Sequence, residues 1–306
     1  MISYFYRSVR EDKLSKLENF RTGSWIYAEA PTREERELLT EKFGLDDDLV
    51  GDALDPDEIP RSESEGDVVY VYMRYSYRRG DIIETDPVLV AVGPNFVVTV
   101  SRHALPNLQR LVAGVVTTQR AKLMLVILRH LVQGYEDHGK LLDRQIRAVR
   151  AKLNVATVNN RDFVQFVVIE DALNSFLAEL VPANLMLQTL LSGRYNLHFY
   201  EDDTDLIEDL VQTTRQLIES SRSSLRTIVN IREAYSNIMT NNLNRRVGLL
   251  TSLTVVLTIP TIVFSLFGMN VPLPYQRSPW TTVWVLGLTF GLMGGVLYYL
   301  VKKRWL

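Results

Sequence analysis

Seven positions near the C-terminal end of the chain recur at a spacing that could do chemistry. They are Asn244, Val247, Thr251, Thr254, Thr258, Thr261 and Ser265, separated by steps of three, four, three, four, three and four. That alternation places them on one face of a helix, as in a heptad seam. Five of the seven carry hydroxyls. The same face continues towards the N-terminus through Thr240, Asn237, Glu233 and Asn230. Neutral hydroxyls and amides donate and accept hydrogen bonds at any ordinary pH, so this is binding chemistry rather than acid–base chemistry. Other sources of chemistry are poor. The chain has no cysteine, which excludes disulfides and thiolate metal sites. His103, His130, His138 and His198 are scattered with no i,i+4 pair. His138 beside Glu136 and Asp137 offers neither a nucleophile nor metal spacing. No phosphate-binding glycine loop is present, and nothing here reads as an enzyme or asks for an organic cofactor.

The elements that position the stripe are two apolar stretches. Val247 to Phe267 and Thr281 to Val301 are each 21 residues long and uncharged. About 20 helical residues cross a bilayer core of about 30 Å, so both read as transmembrane helices in contact with lipid. Gly268 to Trp280, with Pro272, Pro274 and Pro279, is a short connection that makes the spans antiparallel neighbours. Arg245 and Arg246 precede the first span, and Lys302, Lys303 and Arg304 follow the second, whereas the connection carries Arg277 alone. Positive flanks favour the cytoplasmic side, so both termini are expected inside and the connection outside, with Trp280 and Trp305 at the interfaces. Met1 to Arg7 lacks the apolar core of a signal peptide, so the N-terminal part is expected to stay in the cytoplasm.

A polar stripe within such a span faces protein or water, because lipid leaves polar groups unsatisfied. The stripe alone reads equally as glue between helices or as the lining of an aqueous path. Gly287, Gly291 and Gly295 give the second span a small-residue packing face of its own, which leaves the first free for an axis. Pro260 lies off the stripe and is expected to bend or loosen the first span.

The preceding residues are those of a charged soluble protein. The net charge of −2 argues against nucleic acid as a partner. Ile2 to Tyr6, Trp25 to Ala28 and Asp67 to Tyr77 read as strands. Val88 to Val92 and Phe96 to Val100 read as a hairpin about Gly93-Pro94-Asn95. Thr32 with Glu35 forms a capping box for a helix ending at Gly44. Residues 117–154 and 161–191 read as two long helices. No proline interrupts Asp203 to Ile259, so one helix is expected to run from the soluble part into the first span, on the order of 90 Å at ~1.5 Å per residue. A helix that long needs partners, and copies of itself are the simplest.

The first span ends in Phe267-Gly268-Met269-Asn270. That signature sits at the outer end of the first of two C-terminal spans, with a long helix before it and Lys302 to Leu306 behind. In this the chain resembles the CorA family of divalent-cation transporters. The segment from Asp52 to Asp55 through Pro60-Arg61 also looks like that family's element before the central strands. The resemblance implies a funnel-shaped homopentamer: an α/β cytoplasmic domain followed by long helices and two C-terminal transmembrane helices. Its parts would be a cytoplasmic α/β domain (1–116), a helical hairpin (117–202) and a pore-lining helix (203–267) containing the first span (247–267). An outer loop (268–280), the second span (281–301) and a basic cytoplasmic tail (302–306) complete it. It implies a selectivity ring of Gly268, Met269 and Asn270, and a pore lined by Asn244, Val247, Leu250, Thr254, Thr258 and Thr261, with Thr251 from the stripe. Val247 and Leu250 would form the apolar constriction. Acidic pairs between subunits would sense intracellular metal, here Asp52 opposite Asp209, with Glu233 further along the helix. Phe267 stands where the family usually has tyrosine, and 271–279 lacks the acid many members carry.

On this resemblance the chain admits hydrated divalent cations, Mg²⁺ above all and Co²⁺ or Ni²⁺ besides, through a plasma or inner membrane. Mg²⁺ also serves as the regulatory ion. Mg²⁺ sheds water reluctantly, and neutral amides and carbonyls can hold its water shell without stripping it. Two rivals stand beside this reading. One is a ZntB-like zinc transporter coupled to protons; the other is a membrane-anchored helical scaffold without transport.

Overall fold

The computed structural model describes residues 1–153, 160–269 and 280–303. Its elements are β1 (Ile2–Tyr6), β2 (Ser15–Leu17), β3 (Ser24–Glu29), α1 (Arg33–Phe43), α2 (Asp47–Asp52), β4 (Arg61–Glu65), β5 (Val68–Arg79), β6 (Ile82–Val92), β7 (Phe96–Ser101), α3 (Leu108–Val112), α4 (Arg120–Leu153), α5 (Asn160–Leu191), α6 (Glu201–Phe267) and α7 (Thr281–Lys302). The chain divides into two compact units, Met1–Val229 and Asn230–Leu306.

The first unit is built on a seven-stranded sheet ordered β2-β1-β3-β7-β6-β5-β4. β3 and β7 run parallel, and the other neighbours are antiparallel. Both faces are covered, which is why β5 reads as an unbroken apolar run rather than an alternating one. Val69, Val71 and Met73 join Trp25, Val88, Val90 and the helices α3, α4 and α5 on one face. Val68, Tyr70 and Tyr72 join Ile26, Leu89 and Val98 against α1 and α2 on the other. The Thr32–Glu35 capping box forms as expected, and α1 stops at Gly44, whose φ of 64° lies in the left-handed region.

A closed polar cluster ties the helical layer to the sheet. Arg74 on β5 is paired with Glu179 on α5 at 3.1 Å and donates to the carbonyls of Pro56, Glu58 and Thr85. Tyr135 on α4 donates to the other Glu179 oxygen at 2.7 Å, and Thr85 also contacts Glu179. Burial raises the Glu179 pKa above the ordinary carboxylate value, while its hydrogen bonds and Arg74 pull it down. These contacts explain an extension of β6 that its residues hide: Ile82 to Pro87 carries Glu84, Thr85 and Asp86 and lacks the expected apolar pattern, yet it pairs with β5 throughout.

His130 and His138, eight residues apart and so on one face of α4, meet this sheet as well. His130 stacks on Tyr75 with ring centroids 5.9 Å apart, and His138 Nδ1 lies 2.9 Å from Ser76 Oγ. Between them a Cβ at position 134 would stand 3.0 Å from Ser76 Oγ, so Gly134 allows the helix its approach. Asn184 on α5 donates to Val211 O and Thr214 Oγ1 on α6, both at 2.7 Å, which docks the start of α6 in the same layer.

Candidate functional site

The second unit holds the end of α6 and all of α7. Both helices are long and apolar enough to cross a membrane, and their most apolar windows are only 11% and 6% buried. A core helix of a soluble protein would be mostly covered, so these two expose their apolar residues to something other than water. The basic end of α7 is dressed for an interface: Lys302 and Lys303 lie over the rings of Tyr298 and Tyr299, at 6.0 and 5.3 Å.

Each helix has one sheltered face. On α6 it runs through Gly248, Ser252, Val256, Ile259 and Val263; on α7 it runs through Val285, Thr289, Met293, Val296 and Leu300. Ser252 and Thr289 are both 2% exposed. Neither stands on the stripe, and sequence reasoning missed them. Their only signal was a hydroxyl at the four-residue spacing of a second face.

The stripe lies elsewhere. At ~100° per residue, Thr251, Thr254, Thr258 and Thr261 are turned by roughly 130° from the Ser252–Val263 face. Asn244, Thr251, Thr254, Thr258 and Thr261 are exposed. So are Val247 (52%) and Leu250 (66%). Within one chain the stripe is therefore uncovered.

The threonines also hydrogen-bond to their own helix. Thr254 Oγ1 donates to Leu250 O at 2.9 Å, Thr258 to Thr254 O at 2.8 Å, and Thr261 to Leu257 O at 3.1 Å. The back-bonding expected of membrane glue and the outward exposure expected of a lining thus hold together. The consequence is chemical. A hydroxyl has one proton and two lone pairs, so once its proton is given to the backbone its outward side can only accept. The protons of a cation's water shell point outward and need acceptors. These hydroxyls match a hydrated cation and mismatch a hydrated anion.

At its C-terminal end α6 closes with Gly268 N donating to Phe264 O at 2.9 Å and Met269 N to Leu266 O at 3.4 Å. A Cβ on Gly268 would meet Phe264 O at 3.1 Å, so the tight exit suits glycine. The C-terminal end of a helix carries partial negative charge, which favours a cation there. Met269 is exposed. Asn270 lies outside the described residues, as do the acid-free 271–279 connection, Arg277, Arg304 and Trp305.

Gly287, Gly291 and Gly295 of α7 are exposed. An added Cβ at any of them meets nothing within 4 Å. Their packing face is unused within one chain.

The expected metal-sensing acids each have their own local setting. Asp52, at the end of α2, is paired with Arg61 at 2.7 Å. Asp209 and Glu233 are exposed on α6. Among the described residues no group of three or more His, Asp or Glu side chains could hold a metal ion. The histidines serve structure in the described contacts: His103 is bound to Asp86, and His198 packs edge-on against Tyr200 at 5.0 Å.

The comparisons with known proteins agree with this architecture. The chain is 22% identical over 311 residues to the cobalt/magnesium transport protein CorA of Methanocaldococcus jannaschii, covering 98% of this chain and 96% of that protein. The complete structure of the CorA magnesium transporter from the same organism superposes with a TM-score of 0.88 at 20% identity, covering 100% and 99% of the two chains. The ZntB cytoplasmic domain of Vibrio parahaemolyticus superposes with a TM-score of 0.64 at 9% identity, covering 78% of this chain and 98% of that one. The family described as CorA-like Mg2+ transporter protein matches residues 21–304. With a match over nearly its whole length, the chain belongs to the CorA-like Mg²⁺ transporter family.

Proposed function

We propose that the chain is one subunit of a homopentameric channel that admits hydrated Mg²⁺ to the cytoplasm, with both termini inside. The observation that carries the reading is the exposed row of Thr254, Thr258 and Thr261. Their protons are spent on their own backbone, which leaves acceptors facing outward. Around a common axis that row becomes a tube of neutral oxygens, with Asn244 and Thr251 on the same face. Val247 and Leu250 are its apolar constriction, able to close by dewetting. Gly268, Met269 and Asn270 form the outer ring, where amides and carbonyls hold the water shell. The α7 glycine face packs against lipid or a neighbouring copy.

The membrane potential suffices as driving force. A divalent ion gains about 4.6 kcal/mol entering down 100 mV of inside-negative potential, at ~2.3 kcal/mol per charge. Gating falls to intracellular Mg²⁺ bound by Asp52, Asp209 and Glu233 between copies. Asp52 must then exchange Arg61 for metal. Co²⁺ is a second substrate on the analogy of the Methanocaldococcus jannaschii relative, whose name includes cobalt; Ni²⁺ shares its charge and hydration chemistry. Zinc coupled to protons is the weaker reading. The spans contain no histidine, and zinc prefers nitrogen and sulfur ligands.

The test is flux of Mg²⁺, Co²⁺, Ni²⁺ and Zn²⁺ into reconstituted vesicles, with and without a proton gradient, for the natural chain and Asn270→Ala. Potential-driven Mg²⁺ flux that Asn270→Ala abolishes or deselects is the expected result. Unchanged flux in the variant sinks the ring, and proton-dependent Zn²⁺ flux alone favours the zinc reading.

A further inference from the structure

We propose that the soluble unit carries a nucleoside-phosphate site in the cleft where the N-terminal end of α4 meets the α5–α6 connection. The cleft has a volume of about 660 Å³, within the several-hundred-Å³ range of ligand pockets. Residues 118–122 line one side, Arg194 to His198 with Tyr200 and Asp203 another, the Gly93-Pro94 turn a third, and the β4–β5 turn with Asp67 a fourth.

α4 begins without the usual provisions. Its first bond at this end is Leu123 N to Gln119 O at 2.9 Å, so the amides of Arg120, Ala121 and Lys122 precede it with no acceptor among the described residues. This positive end of a 34-residue helix has no acid in its first turn. It carries Arg120 and Lys122 instead, the wrong sign for the helix dipole; Arg120 donates to Gly93 O, and Lys122 lies 3.9 Å from the exposed Asp202 carboxylate. α6 shows the ordinary arrangement in the same cleft: Glu201, Asp202 and Asp203 occupy its first turn, and Asp203 Oδ2 accepts from Tyr200 N at 3.1 Å. Arg194 and His198 add basic groups from the connection. Free amides, a helix N-terminus and convergent cations together make a phosphate cradle.

A second feature asks for more than phosphate. Asp203 is 2% exposed and lines the cleft, and its Oδ1 has no hydrogen-bond partner. A buried carboxylate oxygen left unpaired is costly, and an ionised phosphate, itself an anion, is repelled by it rather than drawn to it. A sugar hydroxyl or a base amino group does. Tyr200, 63% exposed and edge-on to His198, supplies an aromatic surface for a base. One molecule bearing phosphate, hydroxyls and a flat ring satisfies all three demands.

The full-length protein in detergent, in buffer with chelator, is titrated calorimetrically with ATP, AMP, pyrophosphate and inorganic phosphate. Saturable nucleotide binding is expected, weakened about tenfold or more by Lys122→Glu and by Arg194→Ala, each removing a charge-assisted contact. Asp203→Asn should weaken nucleotide and leave pyrophosphate unchanged. Arg194→Ala alters an exposed connection residue, so its effect is separable from misfolding. Absence of nucleotide binding at millimolar concentration, or binding indifferent to Lys122→Glu and Arg194→Ala, overturns the proposal. Pyrophosphate binding as tightly as the nucleotide overturns its nucleoside half.

Discussion

The two units treat polar groups in opposite ways. In the first, buried Arg74, Glu179 and Tyr135 and half-buried Thr85 answer one another across β5, β6, α4 and α5. In the second, Thr254, Thr258 and Thr261 are exposed and answer only their own helix. The first unit satisfies most of its buried polar atoms within one chain, with Asp203 Oδ1 among the exceptions. The second leaves a row of acceptors and a wide apolar surface uncovered, which the proposed assembly covers with lipid and further copies. A soluble core uses polar groups to fix one arrangement. A conducting face must hold its ligand loosely enough to release it.

Two substitutions break this contrast from either side, and a pH series sharpens it. Leu250→Asp places a charge on the exposed face beside the threonine row. It should change Mg²⁺ conductance by about tenfold or more, equivalent to ~1.4 kcal/mol on the barrier. Single-channel or vesicle flux measurements check it, and no change would place Leu250 away from the conducting path. Glu179→Ala strands Arg74, whose side chain is 10% exposed, as an unpaired buried charge. A loss of about 3–5 kcal/mol in the stability of the first unit is expected, read by thermal unfolding in detergent. The flux per folded channel should hardly move.

The smallest effect concerns His130 and His138, whose pKa values burial pushes below the ordinary histidine value. An unfolded chain binds protons at these sites more readily than the folded one. Stability is therefore full above the unfolded pKa and falls as pH drops below ~6.5. His138 faces Ser76, with Asp137 raising and Arg78 lowering its affinity for the proton. Glu179, with its raised pKa, works in the opposite direction. A midpoint temperature that declines between pH 7 and 5, and declines less in His138→Gln, is the expected outcome.

Much of this was legible in the sequence, for physical reasons. Uncharged runs of transmembrane length, the Thr32–Glu35 box, the apolar run of β5 and the Gly93-Pro94-Asn95 hairpin are local signals that need no tertiary partner. The uninterrupted α6 followed from the absence of proline and glycine over most of its length. The misses depend on distant partners. β2 and β4 are short, polar edge strands, and β4 reads Arg61-Ser62-Glu63-Ser64-Glu65, with charges suited to an open edge. The first half of β6 hid behind Glu84, Thr85 and Asp86 because Arg74, Glu179, Arg102 and His103 are remote in sequence. At the site, spacing revealed the stripe. It left back-bonding and lining as alternatives and did not reveal that both hold together, nor that Ser252 and Thr289 occupy the sheltered faces. The pairing of Asp52 with Arg61, nine residues away, was not legible either.

The orientation of the stripe is open to direct measurement, because the chain has no cysteine of its own. Thr254→Cys and Leu253→Cys place a thiol on adjacent, exposed positions that point in directions roughly 100° apart. Both variants are reconstituted and treated with a membrane-impermeant, positively charged thiol reagent while Mg²⁺ flux is followed. Rapid modification and block at position 254, with little reaction and undisturbed flux at 253, is the predicted result. Equal reaction at both positions, or modification of 254 without any effect on flux, would contradict a water-filled path along the threonine face.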